Sequence, residues 1–425
     1  MESNDLDIQL VGAATGGGPP GTAPPAGEKA LRVAAADLEE GRYHRLELIP
    51  WWDRERLAKA RVLVVGAGAL GNEVIKNLAL LGVGHVFILD LDTIELSNLT
   101  RSVLFREGDI GRPKAVVAAE RAREINPTIR TYPIVGNVIH DLGLGLFREM
   151  DLVIGGLDNR EARLAINQNC WKVTRPWIDG AIEVLHGVAR VFVPPDGACY
   201  ECTMNEADYK LLSIRRSCAL LSRDEMIQGK VPTTPTTASV IGGIQVQEAV
   251  KLLHHRPDLP ILAGKAFFFN GLSYDSYVTT YRRREDCLSH ETYERIVDHP
   301  GRAADTTLGS MLATVRERLG TQAVLEFGRE IVSGLRCPRC GTTQSLFKVL
   351  GRVTEAEAKC PACGEVREPE MAHGVTGDEA FLDRTLAEIG VPPYDIVTGR
   401  VGLEMVHLCL AGDRDLAMLG CPRRG

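Results

Sequence analysis

Residues Val62 to Gly71 read Val-Leu-Val-Val-Gly-Ala-Gly-Ala-Leu-Gly, an apolar run that breaks into glycines and then turns amphipathic. The pattern predicts a strand, a tight turn and a helix start. Glycines at 66, 68 and 71, with Ala69 between them, allow the turn to form, bring backbone close to a phosphate and let the helix pack on its strand. Backbone N–H groups then point at an anion. On its own such a turn most often marks a dinucleotide oxidoreductase, so the motifs further along the chain decide between readings.

Four more strand-like runs, 85–90, 129–135, 151–156 and 177–179, alternate with helical patterns near 70–82, 113–125, 141–148 and 160–172. This alternation predicts right-handed crossovers and a mostly parallel, Rossmann-like sheet with ligands at the carboxyl ends of its strands. Asp90 closes the second strand, where a carboxylate accepts hydrogen bonds from ribose hydroxyls. A strongly helical run is expected over 238–253. Before the first strand, residues 38–61 form an amphipathic segment expected to be helical. Residues 1–36, rich in Gly and Pro and poor in large apolar groups, are expected to be a disordered leader.

The chain has 425 residues, 44% of them hydrophobic and 25% charged, enough for two or three domains with a sizeable core. Its net charge of -7, without a long basic block, argues against nucleic acid as a partner. The longest apolar stretch, Leu78 to Leu89, is too short for a bilayer, and the N-terminus carries no basic-then-hydrophobic signal. A cytoplasmic location is therefore expected. Of 11 cysteines, six fall in C-x-x-C pairs: Cys199/Cys202, Cys337/Cys340 and Cys360/Cys363. That spacing suits metal ligation in a reducing compartment.

Three further motifs separate the possibilities: Ser97-Asn98-Leu99-Thr100-Arg101, Gly111-Arg112-Pro113-Lys114 and Leu157-Asp158-Asn159. A nicotinamide enzyme does not need an Arg and a Lys aimed at the nucleotide, whereas nucleotidyl transfer must neutralise a triphosphate while one phosphate is attacked. Asp158, at the end of the fourth strand, is placed to hold Mg. With these motifs in order, residues 40 to 285 resemble the ThiF/MoeB/HesA-type adenylyltransferases, the superfamily that contains ubiquitin-activating enzymes.

The resemblance implies that Gly66, Gly68 and Gly71 bind ATP, that Asp90 binds ribose, and that Ser97, Asn98, Arg101, Lys114, Asp158 and Asn159 contact phosphates and Mg. It also implies that Arg45 reaches a partner subunit's ATP site, hence a homodimer. Thr100 and Ser102 stand where the family usually has Gln. Cys199 and Cys202 supply half of a structural zinc site in this family. The other half here reads Cys287-Leu288-Ser289-His290, so a three-cysteine, one-histidine site is expected. Cys218, in the crossover loop 203–231 beside Arg215 and Arg216, occupies the place of the family's nucleophilic or persulfide-bearing cysteine. Cys170 reads as core, and Cys409 and Cys421 are weaker alternatives for a working thiol.

The core is expected to span 37–295, and a smaller α+β domain to span 296–425. Two Cys-Pro-x-Cys-Gly knuckles, with Cys337, Cys340, Cys360 and Cys363 as ligands, predict a second zinc site as a ribbon over 337–363. Around it a helix is expected near 307–319, a strand over 323–335 and a helix near 378–389. By analogy this domain recruits a downstream carrier protein. The expected activity is ATP-dependent adenylation of the C-terminal carboxylate of a small glycine-terminated, ubiquitin-like protein, followed by thioester formation on Cys218. Sulfur-carrier activation for cofactor or tRNA thiolation is the alternative within this chemistry. A nicotinamide oxidoreductase and a zinc-ribbon adaptor that only senses ATP are the readings outside it.

Overall fold

The structure, a computed structural model, describes residues 41–210 and 232–424. The expected leader and Cys218 lie outside the described residues. The described residues 41–46 belong to a unit of their own. In it the Tyr43 carbonyl accepts the Leu46 amide at 2.9 Å, and Arg45 is exposed.

The expected helix over 38–61 is two short ones, α1 (His44–Glu47) and α2 (Arg54–Lys59). Pro50 cannot donate to a helix ladder, and the Asp53 side chain instead caps α2 by accepting the Arg56 amide at 2.9 Å. Trp51 and Trp52 flank the His254 ring, whose Nε2 accepts the Asp53 amide at 3.0 Å.

The large sheet is built from β1 (Arg61–Val65), β2 (His85–Asp90), β3 (Arg130–Val135), β4 (Leu152–Gly155), β5 (Trp177–Glu183), β6 (His186–Phe192), β7 (Lys265–Asn270) and β8 (Asp275–Thr280), in the order β3-β2-β1-β4-β5-β6-β7-β8. The first five are mutually parallel, and β6 to β8 add as antiparallel strands. The alternating pattern thus produced the parallel half as expected, with β6 to β8 as additions. Between the parallel strands run α3 (Ala69–Leu81), α4 (Lys114–Ile125), α5 (Leu144–Glu149) and α6 (Arg160–Lys172), and α7 (Pro235–His254) packs on the same sheet.

Successive residues of a strand face opposite sides, so a sheet covered on both faces must be apolar throughout. Strand β1 obeys this: Val62 and Val64 enter one core with Val74, Ile75 and Leu78, while Leu63 and Val65 enter the other with Phe147, Trp171 and Trp177. Cys170 is fully buried in the second core, as a small hydrophobe would be. Tyr394, Ile396, Cys409 and Cys421 join that same core from the end of the chain.

A second sheet comprises β9 (Ile296–His299), β10 (Val324–Arg336), β11 (Thr343–Val349), β12 (Glu368–Val375), β13 (Ile396–Val401) and β14 (Glu404–Leu410), ordered β11-β10-β13-β14-β9 with β12 also on β10. Helix α8 (Leu308–Leu319) covers it through Leu308, Met311, Leu312 and Val315. The helix expected near 378–389 is not formed. Its backbone is committed elsewhere: Leu386 N donates to Thr306 O, Leu308 N takes Arg384 O, and Thr307 bridges Thr385, leaving one 3-10 turn at Ala387–Ile389. Among the described residues no helix is long and apolar enough to cross a membrane.

Candidate nucleotide site and metal clusters

At the carboxyl ends of the parallel strands lies a cavity of about 1090 Å³. The glycine turn forms its floor. Gly66 has φ +92°, a conformation that side chains disfavour, and a Cβ there would stand 2.6 Å from the Gly156 carbonyl oxygen. A Cβ at Gly71 would overlap the Gly66 carbonyl, so Gly71 serves close helix-to-strand approach and is not on the cavity wall. Around Gly68 the space is open, as an incoming anion requires.

Asp90 accepts the Ala67 amide at 2.6 Å and the Asp92 amide at 2.8 Å. Burial raises its carboxyl above the ordinary value, while the Lys114 ammonium and those two amides pull the other way. Lys114 opens α4 and is held by Asp92 at 2.9 Å. Arg101 donates to the Ser97 carbonyl at 2.7 Å, and Asn98 Oδ1 accepts the Glu95 amide at 3.0 Å. Gly66, Gly68, Ala69, Asp90, Asn98, Arg101, Lys114, Asp158 and Asn159 all line the one cavity; Ser97 does not, its hydroxyl donating to Glu95 at 3.3 Å. Asn159 also caps α6, accepting the Ala162 amide at 2.9 Å.

Sequence reasoning passed over two further elements. Buried Asn72 donates to the Ala67 and Gly68 carbonyls at 2.7 and 3.0 Å and accepts the Leu104 amide at 2.8 Å. One side chain thereby ties the glycine turn to the loop carrying Arg101. Asp179, fully buried, bridges Arg163 at 2.8 Å and Arg190 at 2.6 Å, and Arg163 also donates to the Leu157 carbonyl, fixing the turn before Asp158. A charged residue closing the apolar run Trp177-Ile178 was the available signal. A buried carboxylate is tolerated only when paired in this way.

The cysteines gather as their spacing suggests. Cys199 Sγ is 3.8 Å from Cys202 Sγ and 3.5 Å from Cys287 Sγ, and Cys202 Sγ is 3.3 Å from His290 Nε2. Glu201, between the two cysteines, accepts the hydroxyls of Tyr209 and Ser289. In the second cluster Cys337 is 3.5 Å from Cys363 and Cys340 is 3.6 Å from Cys360. Its two knuckles are built alike: Gly341 N donates to Cys337 O, and Gly364 N to Cys360 O, with both glycines at positive φ. In each cluster the four donor atoms lie within 4.8 Å of one another, so each could hold a metal ion.

The sulfur carrier protein adenylyltransferase of Thermus thermophilus is 33% identical over 276 residues, covering 61% of this chain and 95% of that protein. The SAMP-activating enzyme E1 of Haloferax volcanii is 34% identical over 242 residues, covering 55% and 80% respectively. Among solved structures, E. coli MccB with ATP shares the fold at TM-score 0.50 and 23% identity, covering 60% of this chain and 75% of that one. The ThiF family model matches residues 41–289, which include the glycine turn, the cavity walls and the first three ligands of the first cluster. The chain belongs to the ThiF family.

Proposed function

We propose that this chain is an adenylyltransferase that uses ATP to activate the C-terminal carboxylate of a small protein of ubiquitin-like or sulfur-carrier type. The observation that carries the reading is the convergence of the glycine turn, Asp90, Asn98, Arg101, Lys114 and Asp158 on one cavity at the strand ends. In the proposed reaction a carboxylate oxygen attacks the α-phosphorus of ATP, the bond to the bridging oxygen breaks, and pyrophosphate leaves. The acyl adenylate now has a good leaving group. Arg101 and Lys114 stabilise charge on the phosphates, Asp158 would hold Mg, and Asp90 accepts from the ribose. Arg45 acts on a second copy's site, which makes the working form a homodimer. Cys218 then attacks the acyl carbon, expelling AMP and leaving a thioester.

The thiol-rich donor sets of both clusters suit zinc: Cys199, Cys202, Cys287 and His290 would hold one ion, and Cys337, Cys340, Cys360 and Cys363 another. Residues 296–425 act as a C-terminal domain that receives a downstream carrier. Free thiols in such number fit a cytoplasmic protein.

The test is ATP–pyrophosphate exchange with added small glycine-terminated proteins. Exchange that depends on the added protein and drops about 100-fold or more in Lys114→Ala or Asp158→Ala supports adenylation. Tight NADH binding without exchange overturns it. Retention of exchange in Cys218→Ala, with loss of a thiol-labile adduct, assigns the thiol to the second step.

A further inference from the structure

The loop of residues 136–143, between β3 and α5, begins as cavity wall. Gly136, Asn137 and Val138 line the cavity next to Asp90, and Gly136 N donates to the Asp90 carbonyl at 3.2 Å. Loop carbonyls ordinarily turn to water. Here three of them turn to one side chain of the second sheet. Arg329 of β10 donates from Nη1 to the Ile139 and His140 carbonyls at 3.0 and 3.2 Å, and from Nη2 to the Leu142 carbonyl at 3.0 Å. Its Nε and Nη2 also reach Asp395 Oδ2 at 3.1 and 3.0 Å. All five guanidinium N–H groups are engaged.

Asp395 completes the clasp by accepting the Leu144 amide, at the start of α5, at 2.7 Å. At the outer side of the loop Arg352 pairs with Asp141, whose other oxygen accepts the Asn137 amide at 2.7 Å. The Arg329 and Asp395 side chains are only 13% and 10% exposed, so this pair is not the water-screened kind that contributes little order. Arg329 is 187 to 190 residues from the carbonyls it holds and does not line the cavity.

We propose that Arg329 is a positioning residue for the nucleotide: from the second sheet it fixes the loop that walls the base end of the cavity. The inference rests on reading the cavity as the ATP site. With ribose at Asp90 and phosphates over Gly68 toward Arg101, the base lies against Gly136 to Val138. Loss of Arg329 leaves three carbonyls and one oxygen of the Asp395 carboxylate without this donor, and the loop relaxes. The base loses its wall while the phosphate side, tied by Asn72, keeps its geometry.

The experiment titrates ATP, and separately inorganic tripolyphosphate, into the full chain by calorimetry, for wild type, Arg329→Ala, Arg329→Lys and Arg352→Ala. Arg329→Ala is expected to weaken ATP about tenfold while tripolyphosphate stays within about twofold. Arg329→Lys recovers part of the loss, because an ammonium can serve some of the carbonyls. Equal weakening of both ligands would make Arg329 merely structural and overturn the proposal, as would unchanged ATP binding. Should Arg329→Ala not fold, Arg352→Ala at the loop's exposed side carries the test. It is expected to weaken ATP about threefold, the scale of one exposed ion pair, with tripolyphosphate unchanged; unchanged ATP binding overturns the clasp. Wild type that binds no ATP rejects the nucleotide site itself, a result distinct from any of these.

Discussion

Cys199 and Cys202 meet Cys287 and His290 across 88 residues of chain, whereas the cysteines of the other cluster lie within 26 residues of one another. The donor chemistry is nearly the same, and the clusters differ in the size of the apolar core each one touches. Cys199 is buried in the core that holds Trp171 and Trp177, and the His290 ring lies 5.2 Å from Trp171. In the ribbon Cys337 and Cys360 are buried and Cys340 is exposed, and the neighbouring apolar cluster has Val332, Leu335 and Val353 as its buried members. A cross-link that closes a long loop removes more unfolded-chain entropy than one that closes a short loop. A segment too small to bury a core instead depends on its metal for local structure. With a metal bound, one cluster would fasten distant parts of a well-packed body, and the other would create a small body.

The sharpest way to break this comparison is to remove two thiols from each cluster. Cys199→Ser with Cys202→Ser is expected to lower the main melting transition by about 10 °C or to prevent folding, with metal content falling by one ion per chain. Cys337→Ser with Cys340→Ser is expected to lower it by about 3 °C. Amide exchange protection in that variant should vanish over residues 337–367 alone. Equal drops in the two melting curves would remove the distinction.

Acid sharpens the same contrast. Three residues past His290, Tyr293 stacks on His407 of β14 at 3.6 Å, and Thr398 bonds His407 Nδ1 at 3.0 Å. Burial lowers the His407 imidazole from 6.5 to about 4, and Lys172 and Arg400, the charged groups facing it, push the same way. The folded state therefore favours the neutral ring. The stability this ring contributes is complete above pH about 6.5 and declines as pH falls toward 4. Melting between pH 7 and 4.5 should show a loss of a few degrees that His407→Gln abolishes. The smallest effect belongs to the ribbon surface. Arg336 and Glu368, paired at 3.2 Å, each keep 58% of their side chains exposed. Arg336→Ala should change unfolding free energy by less than about 0.5 kcal/mol; a larger loss would mean that surface charge, rather than its ligands, holds the ribbon.

The legible part of the fold is the part decided by local chemistry. Apolar runs ending at Val65, Asp90 and Gly155, each followed by a helical period, become strands and helices within a few residues of their expected bounds. Asp90 and Asp158 were legible because they stand at or just past the end of such a run, and Asn98, Arg101 and Lys114 because they sit in short polar motifs that follow the second one. Strands β6 to β8 escaped because their pairing is decided by distant partners: Phe267 and Phe268 take their places opposite Ala189 and Val188. Residues 378–389 misled because Phe381, Leu382, Leu386 and Ile389 have helical spacing. Those side chains do pack in or against the second sheet's core, but the backbone bonds to residues 306–308 instead of to itself. Asn72 and Arg329 illustrate a further limit, since a polar residue inside a helix or strand carries no local sign of which remote carbonyl it will meet.

The clasp between Arg329 and the loop 136–143 also bears on how such chains can be recombined. A chimera joined near residue 295 would look conservative, because it leaves the whole parallel sheet and its nucleotide motifs intact. It would nonetheless separate an arginine from the three carbonyls it serves, along with Asp395 from Leu144 and Arg352 from Asp141. Swapped C-terminal halves should therefore be compatible only when both sides of the seam are exchanged together. The heritable unit in this architecture includes a loop and a strand that lie far apart in the gene.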